Sequence, residues 1–173
     1  MTLLHGFPSS SHDWAKVAPA LAERFELLAL DFLGFGASDK PPDYAYSLGE
    51  QADVVEAVWE TEGVSATTVV AHDYAVSVIQ ELLARRAEGT LGTEIERIHF
   101  VNGGVYPEVH RPQPIQTALL DPEQGRSSAP TSTRSCSSPP WRQPSPPITI
   151  RPQTQLRSGA RYAATTATRT CTC

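Results

Sequence analysis

The chain has 173 residues and a formal net charge of −5, but its two ends differ in charge. Residues 1–120 carry 17 acidic and 7 basic side chains, whereas residues 121–173 carry 2 acidic side chains and 7 arginines. This balance gives no reason to expect nucleic acid as a partner. No apolar stretch approaches the length of about 20 residues that a membrane helix requires, so the chain as written is expected to be soluble.

The N-terminal residues predict a strand that ends in a tight turn. Met1–Leu4 is apolar and is interpreted as the end of a strand whose earlier residues are missing from this sequence. The following turn reads His5-Gly6-Phe7-Pro8. Glycine lets the backbone approach a ligand closely, and proline fixes the chain so that the Phe7 N–H can face outward as a donor. An ordinary Gly-Pro turn is the alternative.

Apolar positions at helical spacing next predict a helix with Trp14, Val17 and Leu21 on one face. The apolar run from Phe25 to Leu30 predicts a buried parallel strand, and residues 31–42 form a glycine-rich loop that ends in two prolines. A dinucleotide-binding loop is disfavoured here, because the third glycine is missing and no helix opens directly after the loop.

The region after this loop repeats the strand and helix pattern. Ser47 and Glu50 form a predicted capping box for a helix that lasts to about Glu62. A strand from Thr67 to Ala71, a helix to about Glu88 and a strand from Ile95 to Val101 follow. Alternation of this kind predicts an α/β fold with a mostly parallel sheet covered by helices on both faces.

The residue that needs explanation is Asp73, at the turn between the third strand and its helix. Ala71 and Ala75 lie two positions before and after it, which is the small-x-nucleophile-x-small spacing of a sharp strand-to-helix turn. That turn presents a carboxylate above the sheet. An ordinary helix N-cap is the alternative role for Asp73.

Ligands of parallel sheets bind beyond the carboxyl ends of the strands. The residues expected at that edge are Phe7, Asp31, Asp73 and Asn102. We therefore predict that a single pocket collects these residues.

The motifs His5-Gly6-Phe7-Pro8, Asp31 to Pro41 and Ala71 to Ala75 occur in the order typical of one family. Residues 1 to about 120 resemble the α/β-hydrolase fold, in the branch that contains epoxide hydrolases and haloalkane dehalogenases. Within it, the chain is most similar to the mesoderm-specific transcript group. The resemblance covers only the middle of the family's sequence.

The resemblance implies a nucleophilic Asp73 that attacks an epoxide or ester-like small apolar substrate, with the N–H groups of Phe7 and Tyr74 as oxyanion donors. It places the remaining predicted pocket residues, His5, Gly6, Pro8, His72 and Asn102, around that carboxylate. It implies no cofactor and no metal. Tyr74 stands where dehalogenases and epoxide hydrolases have tryptophan, which disfavours dehalogenation.

The chain also departs from the family. The family's catalytic histidine lies after the last strand, yet the last histidine here is His110, and a neutral Asn102 ends the last strand. We therefore expect a hydrolase that is inactive as this chain, or else a non-catalytic pseudo-hydrolase or an unstable truncated product. Related proteins resemble membrane-associated proteins of the endoplasmic reticulum, anchored by an N-terminal segment that this chain lacks.

The sequence predicts two regions, a partial hydrolase core over 1–112 and a disordered tail over 113–173. Within it, residues 121–173 hold 8 of the 15 prolines and no lysine, and they bury too little apolar surface to fold. All three cysteines lie there, without a disulfide pattern or neighbouring histidines for zinc. A shifted reading frame is the favoured origin of this composition, and a genuine arginine-rich interaction tail is the alternative.

Overall fold

The structure, a computed structural model, describes residues 1–42, 44–109, 111–121 and 148–150. Residues 1–103 and 148–150 belong to one compact unit, whereas residues 104–121 belong to a second unit. The boundary predicted between residues 112 and 113 stays a prediction. Of the tail predicted to be disordered, residues 113–121 and 148–150 are described, and the remainder of that prediction falls outside the described residues.

The first unit is built on a five-stranded sheet. Its strands are β1 (Thr2–Leu4), β2 (Leu27–Leu30), β3 (Ala66–His72), β4 (Glu94–Val101) and β5 (Ile148–Ile150). The order across the sheet is β4-β3-β1-β2-β5, with the first four strands parallel and β5 antiparallel to β2. The predicted mostly parallel sheet is confirmed. The three residues of β5 and the helix formed by Pro114–Leu120 both contradict the expected lack of structure in the tail.

Helices connect the strands of the first unit. They are α1 (Ala18–Ala22), α2 (Leu48–Thr61) and α3 (Tyr74–Glu88), and a 3₁₀ helix (Ser11–Lys16) precedes α1. In the second unit, the described helices are a 3₁₀ helix (Pro107–Val109) and α4 (Pro114–Leu120). The start predicted for α2 is observed, since the Ser47 side chain accepts a hydrogen bond from the Glu50 N–H.

The single helix predicted around Trp14 and Leu21 is wrong. The chain forms the 3₁₀ helix first and then the separate helix α1. Pro19 lies in the first turn of α1, where its missing N–H costs no intrahelical hydrogen bond. A proline within one continuous helix would have removed such a bond, so the helix begins again just before it.

The sheet has a separate core on each face, because alternate residues of a strand point to opposite sides. Leu4, Leu28 and Leu30 pack against α2 and α3 in the larger core. Leu3 and Leu27 pack with residues of α1 in the smaller core. Helices on both faces were predicted from the sequence and are confirmed.

Arg85 of α3 ties the two large helices together at the surface. Its guanidinium lies 2.6 Å from both the Asp53 and the Glu56 carboxylates of α2 and donates to the Gly49 carbonyl at 2.9 Å. Hydrogen bonds to Glu56 and Asp53 raise the pKa of Arg85 above its usual range. Three acceptors on α2 therefore fix the position of α3, the helix that follows Asp73.

Candidate active site at the carboxyl edge of the sheet

Asp73 occupies a strained turn between β3 and α3. Its backbone has φ 50° and ψ −108°, a conformation that non-glycine residues adopt at a cost of roughly 1–3 kcal/mol. Ala71 and Ala75 on either side are fully buried, so larger side chains at these positions would collide with the core. The small residues noted in the sequence therefore permit the sharp reversal of the chain.

Asp73 stands at the N-cap position of α3, but its side chain makes no capping hydrogen bond. Its Oδ2 instead accepts a hydrogen bond of 2.9 Å from the Phe7 N–H, which comes from the turn after β1. The carboxylate thus faces the first turn of the chain. This geometry disfavours the N-cap alternative raised by the sequence.

Gly6 lies in van der Waals contact with the Asp73 turn. A Cβ at this position would lie 2.8 Å from the Asp73 Cβ and 2.9 Å from His72 Nδ1, closer than side chains tolerate. Glycine is therefore required for the two turns to meet. The next peptide bond, between Phe7 and Pro8, is cis.

Tyr74 is the first residue of α3, so its N–H is one of those that the helix itself leaves unpaired. Its ring packs against Phe32 and Phe35 at centroid distances of 5.6 and 5.7 Å, and burial raises the pKa of the Tyr74 hydroxyl. Phe35 also contacts the Phe7 ring at 6.0 Å. Aromatic rings therefore surround one side of the Asp73 turn.

Asn102 follows β4 with φ 51°, the second non-glycine residue with positive φ among those described. It is exposed, and the preceding Val101 carbonyl accepts a hydrogen bond of 2.9 Å from the Asp73 N–H. The end of β4 is thereby attached to the Asp73 turn. The structure brings Asn102 to the same edge of the sheet as Asp73 and Phe7.

The side chains of His5 and His72 contact other protein groups instead of lining an open pocket. His5 is fully buried, with Nδ1 at 2.8 Å from the Gly6 carbonyl and Nε2 accepting from the Phe32 N–H at 3.1 Å. His72 packs edge-on against the Trp14 ring at 6.4 Å. The His5 ring is thus occupied by backbone groups, which does not fit direct contact with a substrate.

Asp31 is at the correct edge of the sheet, but its carboxylate is committed to its own loop. It accepts hydrogen bonds of 2.7 Å from the N–H groups of Ser11 and Ala37. Burial alone would raise the pKa of Asp31, but these backbone hydrogen bonds outweigh burial and hold the pKa below its usual range. A Cβ at Gly36 would lie 2.0 Å from Asp31 Oδ2, so this glycine is required.

Sequence reasoning missed the part played by Gln51. This side chain of α2 is fully buried, accepts from the Leu33 N–H at 3.0 Å and donates to the Leu33 carbonyl at 2.9 Å. It therefore holds the glycine-rich loop next to the site. A polar residue on the buried face of a predicted helix was the available signal.

Within the described ranges, no group of three histidine, cysteine or carboxylate residues could hold a metal ion. No helix in this part of the chain is long and apolar enough to cross a membrane.

Residues 1–128 match the sequence profile of a family described as alpha/beta hydrolase fold. The chain belongs to the α/β-hydrolase fold family. This agrees with the parallel sheet and the strand-to-helix turn, and it confirms the family expected from the motifs. The human mesoderm-specific transcript homolog protein is 46% identical over 125 residues, which cover 70% of this α/β hydrolase and 37% of the relative.

Enzymes with assigned activities are also similar to this α/β hydrolase. A haloalkane dehalogenase of Bradyrhizobium diazoefficiens is 34% identical over 64% of the chain and 32% of the relative. A soluble epoxide hydrolase of a Corynebacterium species is 40% identical over 45% of the chain and 27% of the relative. The chain thus spans well under half the length of these curated relatives.

Solved structures support the same fold. An alpha/beta hydrolase fold protein from Burkholderia ambifaria superposes with a TM-score of 0.62 at 30% identity, over 75% of this chain and 45% of that chain. The epoxide hydrolase CorEH superposes with a TM-score of 0.53 at 30% identity, over 69% and 40%.

Proposed function

We propose that Asp73 is the nucleophile of an α/β hydrolase acting on small apolar epoxides or ester-like substrates. The observation that supports this role most directly is the 2.9 Å hydrogen bond from the Phe7 N–H to Asp73 Oδ2. It places a backbone donor on the carboxylate, while the strained turn directs that carboxylate away from its own helix.

The first step would be attack on carbon. A carboxylate oxygen of Asp73 forms a bond to one carbon of an epoxide while that carbon's C–O bond breaks, and the alkoxide formed takes up a proton from water. The product is an ester between Asp73 and the opened substrate. Similarity to an epoxide hydrolase supports this substrate class.

The second step would release the product. Water adds to the carbonyl carbon of the Asp73 ester and loses a proton to a base, and collapse of the intermediate gives a diol and restores the carboxylate. The negative oxygen of this intermediate lies on the Asp73 carboxyl group, facing the N–H groups of Phe7 and Tyr74. One such donor is worth about 3–4 kcal/mol of transition-state stabilisation.

The second step needs a base that the described part of the chain does not bring to Asp73. His5 is bonded to backbone groups, His72 packs on Trp14, and His12 and His99 are exposed. No hydrogen bond joins any of these four histidines to Asp73. We therefore expect the 173-residue chain to form the ester but to hydrolyse it slowly.

The test is to incubate the chain with a panel of small epoxides, styrene oxide first, and to measure its intact mass. We expect a gain equal to the mass of one epoxide, located on the peptide that contains Asp73. Hydroxylamine should remove the adduct, because it cleaves esters but not the thioethers formed when epoxides alkylate cysteine.

Asp73→Asn should abolish the hydroxylamine-sensitive adduct, whereas Asp39→Asn, at an exposed position of the glycine-rich loop, should retain it. An adduct that persists in Asp73→Asn would contradict the nucleophile role. Absence of an ester across the panel, in a chain that binds the same epoxides by calorimetry, would instead favour the non-catalytic pseudo-hydrolase.

A further inference from the structure

The peptide unit between Gly6 and Phe7 carries the donor that faces Asp73. This unit is trans, so its carbonyl and its N–H point in opposite directions. The N–H donates to Asp73 Oδ2, and the Gly6 carbonyl lies on the far side. Whatever holds this carbonyl therefore also sets the direction of the Phe7 N–H.

Two N–H groups donate to the Gly6 carbonyl. His5 Nδ1 lies 2.8 Å from the oxygen, and the Ser9 N–H donates to it at 3.2 Å. The Ser9 hydroxyl is also 2.9 Å away, but its single hydrogen is shared with a close contact to the Asp13 carboxylate. The shortest of these contacts to the Gly6 oxygen is that of the imidazole.

The contacts of His5 determine which of its nitrogens carries the proton. A backbone N–H can only donate, so the Phe32 N–H at 3.1 Å requires a lone pair on Nε2. A carbonyl can only accept, so the Gly6 oxygen requires a hydrogen on Nδ1. His5 is therefore a neutral imidazole protonated on Nδ1, and each ring nitrogen matches its partner.

Gly6 needs such a restraint because glycine has little conformational preference of its own. No side chain larger than hydrogen fits here, since a Cβ would lie 2.8 Å from the Asp73 Cβ. Glycine allows the peptide unit on either side of it to rotate more freely than any other residue does. The position thus combines a steric requirement for glycine with a functional requirement for one peptide orientation.

The restraint matters most after the first chemical step. The negative Asp73 carboxylate itself attracts the Phe7 N–H while it is free. Once the carboxylate is esterified, that charge is lost, although the N–H must still face the oxyanion that forms next. Hydrogen bonds to the Gly6 carbonyl keep the donor in place during this stage.

We propose that His5 is a positioning residue, whose Nδ1–H holds the Gly6 carbonyl so that the Phe7 N–H faces Asp73. The proposal rests on the nucleophile role proposed above for its consequence in catalysis. It replaces direct substrate contact as the role of His5. The orientation of the peptide unit can also be tested without any reaction.

The first test uses a matched pair of substitutions. The amide nitrogen of Asn lies where His Nδ1 lies, whereas the amide of Gln reaches the position of Nε2. His5→Asn therefore retains a donor for the Gly6 carbonyl and loses the acceptor for Phe32, and His5→Gln does the reverse. Both variants leave a gap in the same buried site. If the role of His5 were purely structural, the two substitutions should therefore have similar effects on the Phe7 amide and on ester hydrolysis.

The readout is the amide proton of Phe7 in ¹⁵N-labelled protein. We expect an upfield shift in His5→Gln, because the hydrogen bond to the carboxylate weakens, and a smaller change in His5→Asn. Hydrolysis of the Asp73 ester should slow by about 10²-fold in His5→Gln, the effect of losing one oxyanion donor, and His5→Asn should recover most of that loss. Equal changes in the two variants would overturn the proposal.

A second measurement needs no substitution. The ¹⁵N shifts of the His5 ring in the unmodified chain should show a neutral imidazole protonated on Nδ1, and a proton on Nε2 would overturn the proposal. If no ester forms on the unmodified chain, the nucleophile role fails. In that case, the shift of the Phe7 amide proton and the tautomer of His5 would still show whether His5 orients the peptide unit between Gly6 and Phe7.

Discussion

Gly6 is the residue at which the two turns of the site approach most closely. Gly6→Ala would place a methyl group 2.8 Å from the Asp73 Cβ and 2.9 Å from His72 Nδ1. We expect a loss of about 1–3 kcal/mol in the free energy of unfolding, measured by urea denaturation, because the packed backbone must shift.

Gly92→Ala is the matched control for this substitution. A methyl group at position 92 would meet no atom within 4 Å, so the replacement should change the free energy of unfolding by no more than about 0.5 kcal/mol. Equal effects of the two substitutions would show that the close approach of Gly6 to Asp73 contributes nothing to stability.

The charge state of His5 links stability to pH. Burial lowers the pKa of His5 below its usual value, although the Gly6 carbonyl and the nearby Asp31 and Asp13 oppose this shift and His72 reinforces it. Below a pH of about 6.5 the unfolded chain therefore binds a proton that the folded chain does not. The free energy of unfolding should fall as the pH decreases from about 7 towards 5.

Urea denaturation across this range measures the dependence. His5→Gln should flatten the slope near pH 6, whereas His12→Gln, at an exposed position, should leave it unchanged. Asp31, whose pKa is also held low, adds a further loss of stability only below a pH of about 4. If the free energy of unfolding still depends on pH near pH 6 in His5→Gln, this dependence must come from other titratable groups.

Helix α2 holds the glycine-rich loop next to the site through the Gln51 side chain. Gln51→Leu would leave the half-buried N–H and carbonyl of Leu33 without their side-chain partner, and we expect a loss of about 1 kcal/mol for each group left unsatisfied, the lower end of the range for buried groups. The measurement is thermal unfolding followed by circular dichroism.

Gln51→Glu is the isosteric comparison, since it retains an acceptor for the Leu33 N–H but removes the donor to the Leu33 carbonyl. It introduces a carboxyl group at a fully buried position as well, so it should also destabilise the chain. A stable Gln51→Leu chain would mean that the glycine-rich loop does not depend on α2.

Strand β4 lies at one end of the strand order, and its residues are mostly exposed. Of its residues, Ile95 alone is fully buried, and Phe100 and Val101 are 46% and 37% exposed. An edge strand with exposed apolar side chains is prone to pair with other chains. We expect the apparent mass in sedimentation velocity to increase with protein concentration.

Replacing both Phe100 and Val101 with threonine retains strand-forming residues but removes apolar surface, and it should reduce this association. Val17→Thr is the control, because Val17 is 46% exposed but lies between the 3₁₀ helix and α1. A similar decrease in the control would attribute the association to general surface apolarity rather than to β4.

At the scale of the whole molecule, the order of the strands creates the site. The chain passes from β1 to the neighbouring β2 and then crosses back to β3 on the other side of β1. The turns after β1 and β3 therefore lie side by side where the direction of winding changes, the usual position for ligands in open parallel sheets. This adjacency brings the Phe7 N–H to Asp73.

The sequence alone determined strands β1 to β4, helices α2 and α3, the α/β class and the position of the sharp turn, because strand and helix periodicity and the small residues around Asp73 are local properties. The hydrogen-bond partners of His5, Asp31 and Gln51 depend on which segments become neighbours, and no local pattern encodes that. Only the tertiary structure decided that His5 and Asp31 satisfy backbone groups, whereas the Asp73 carboxylate faces the first turn of the chain.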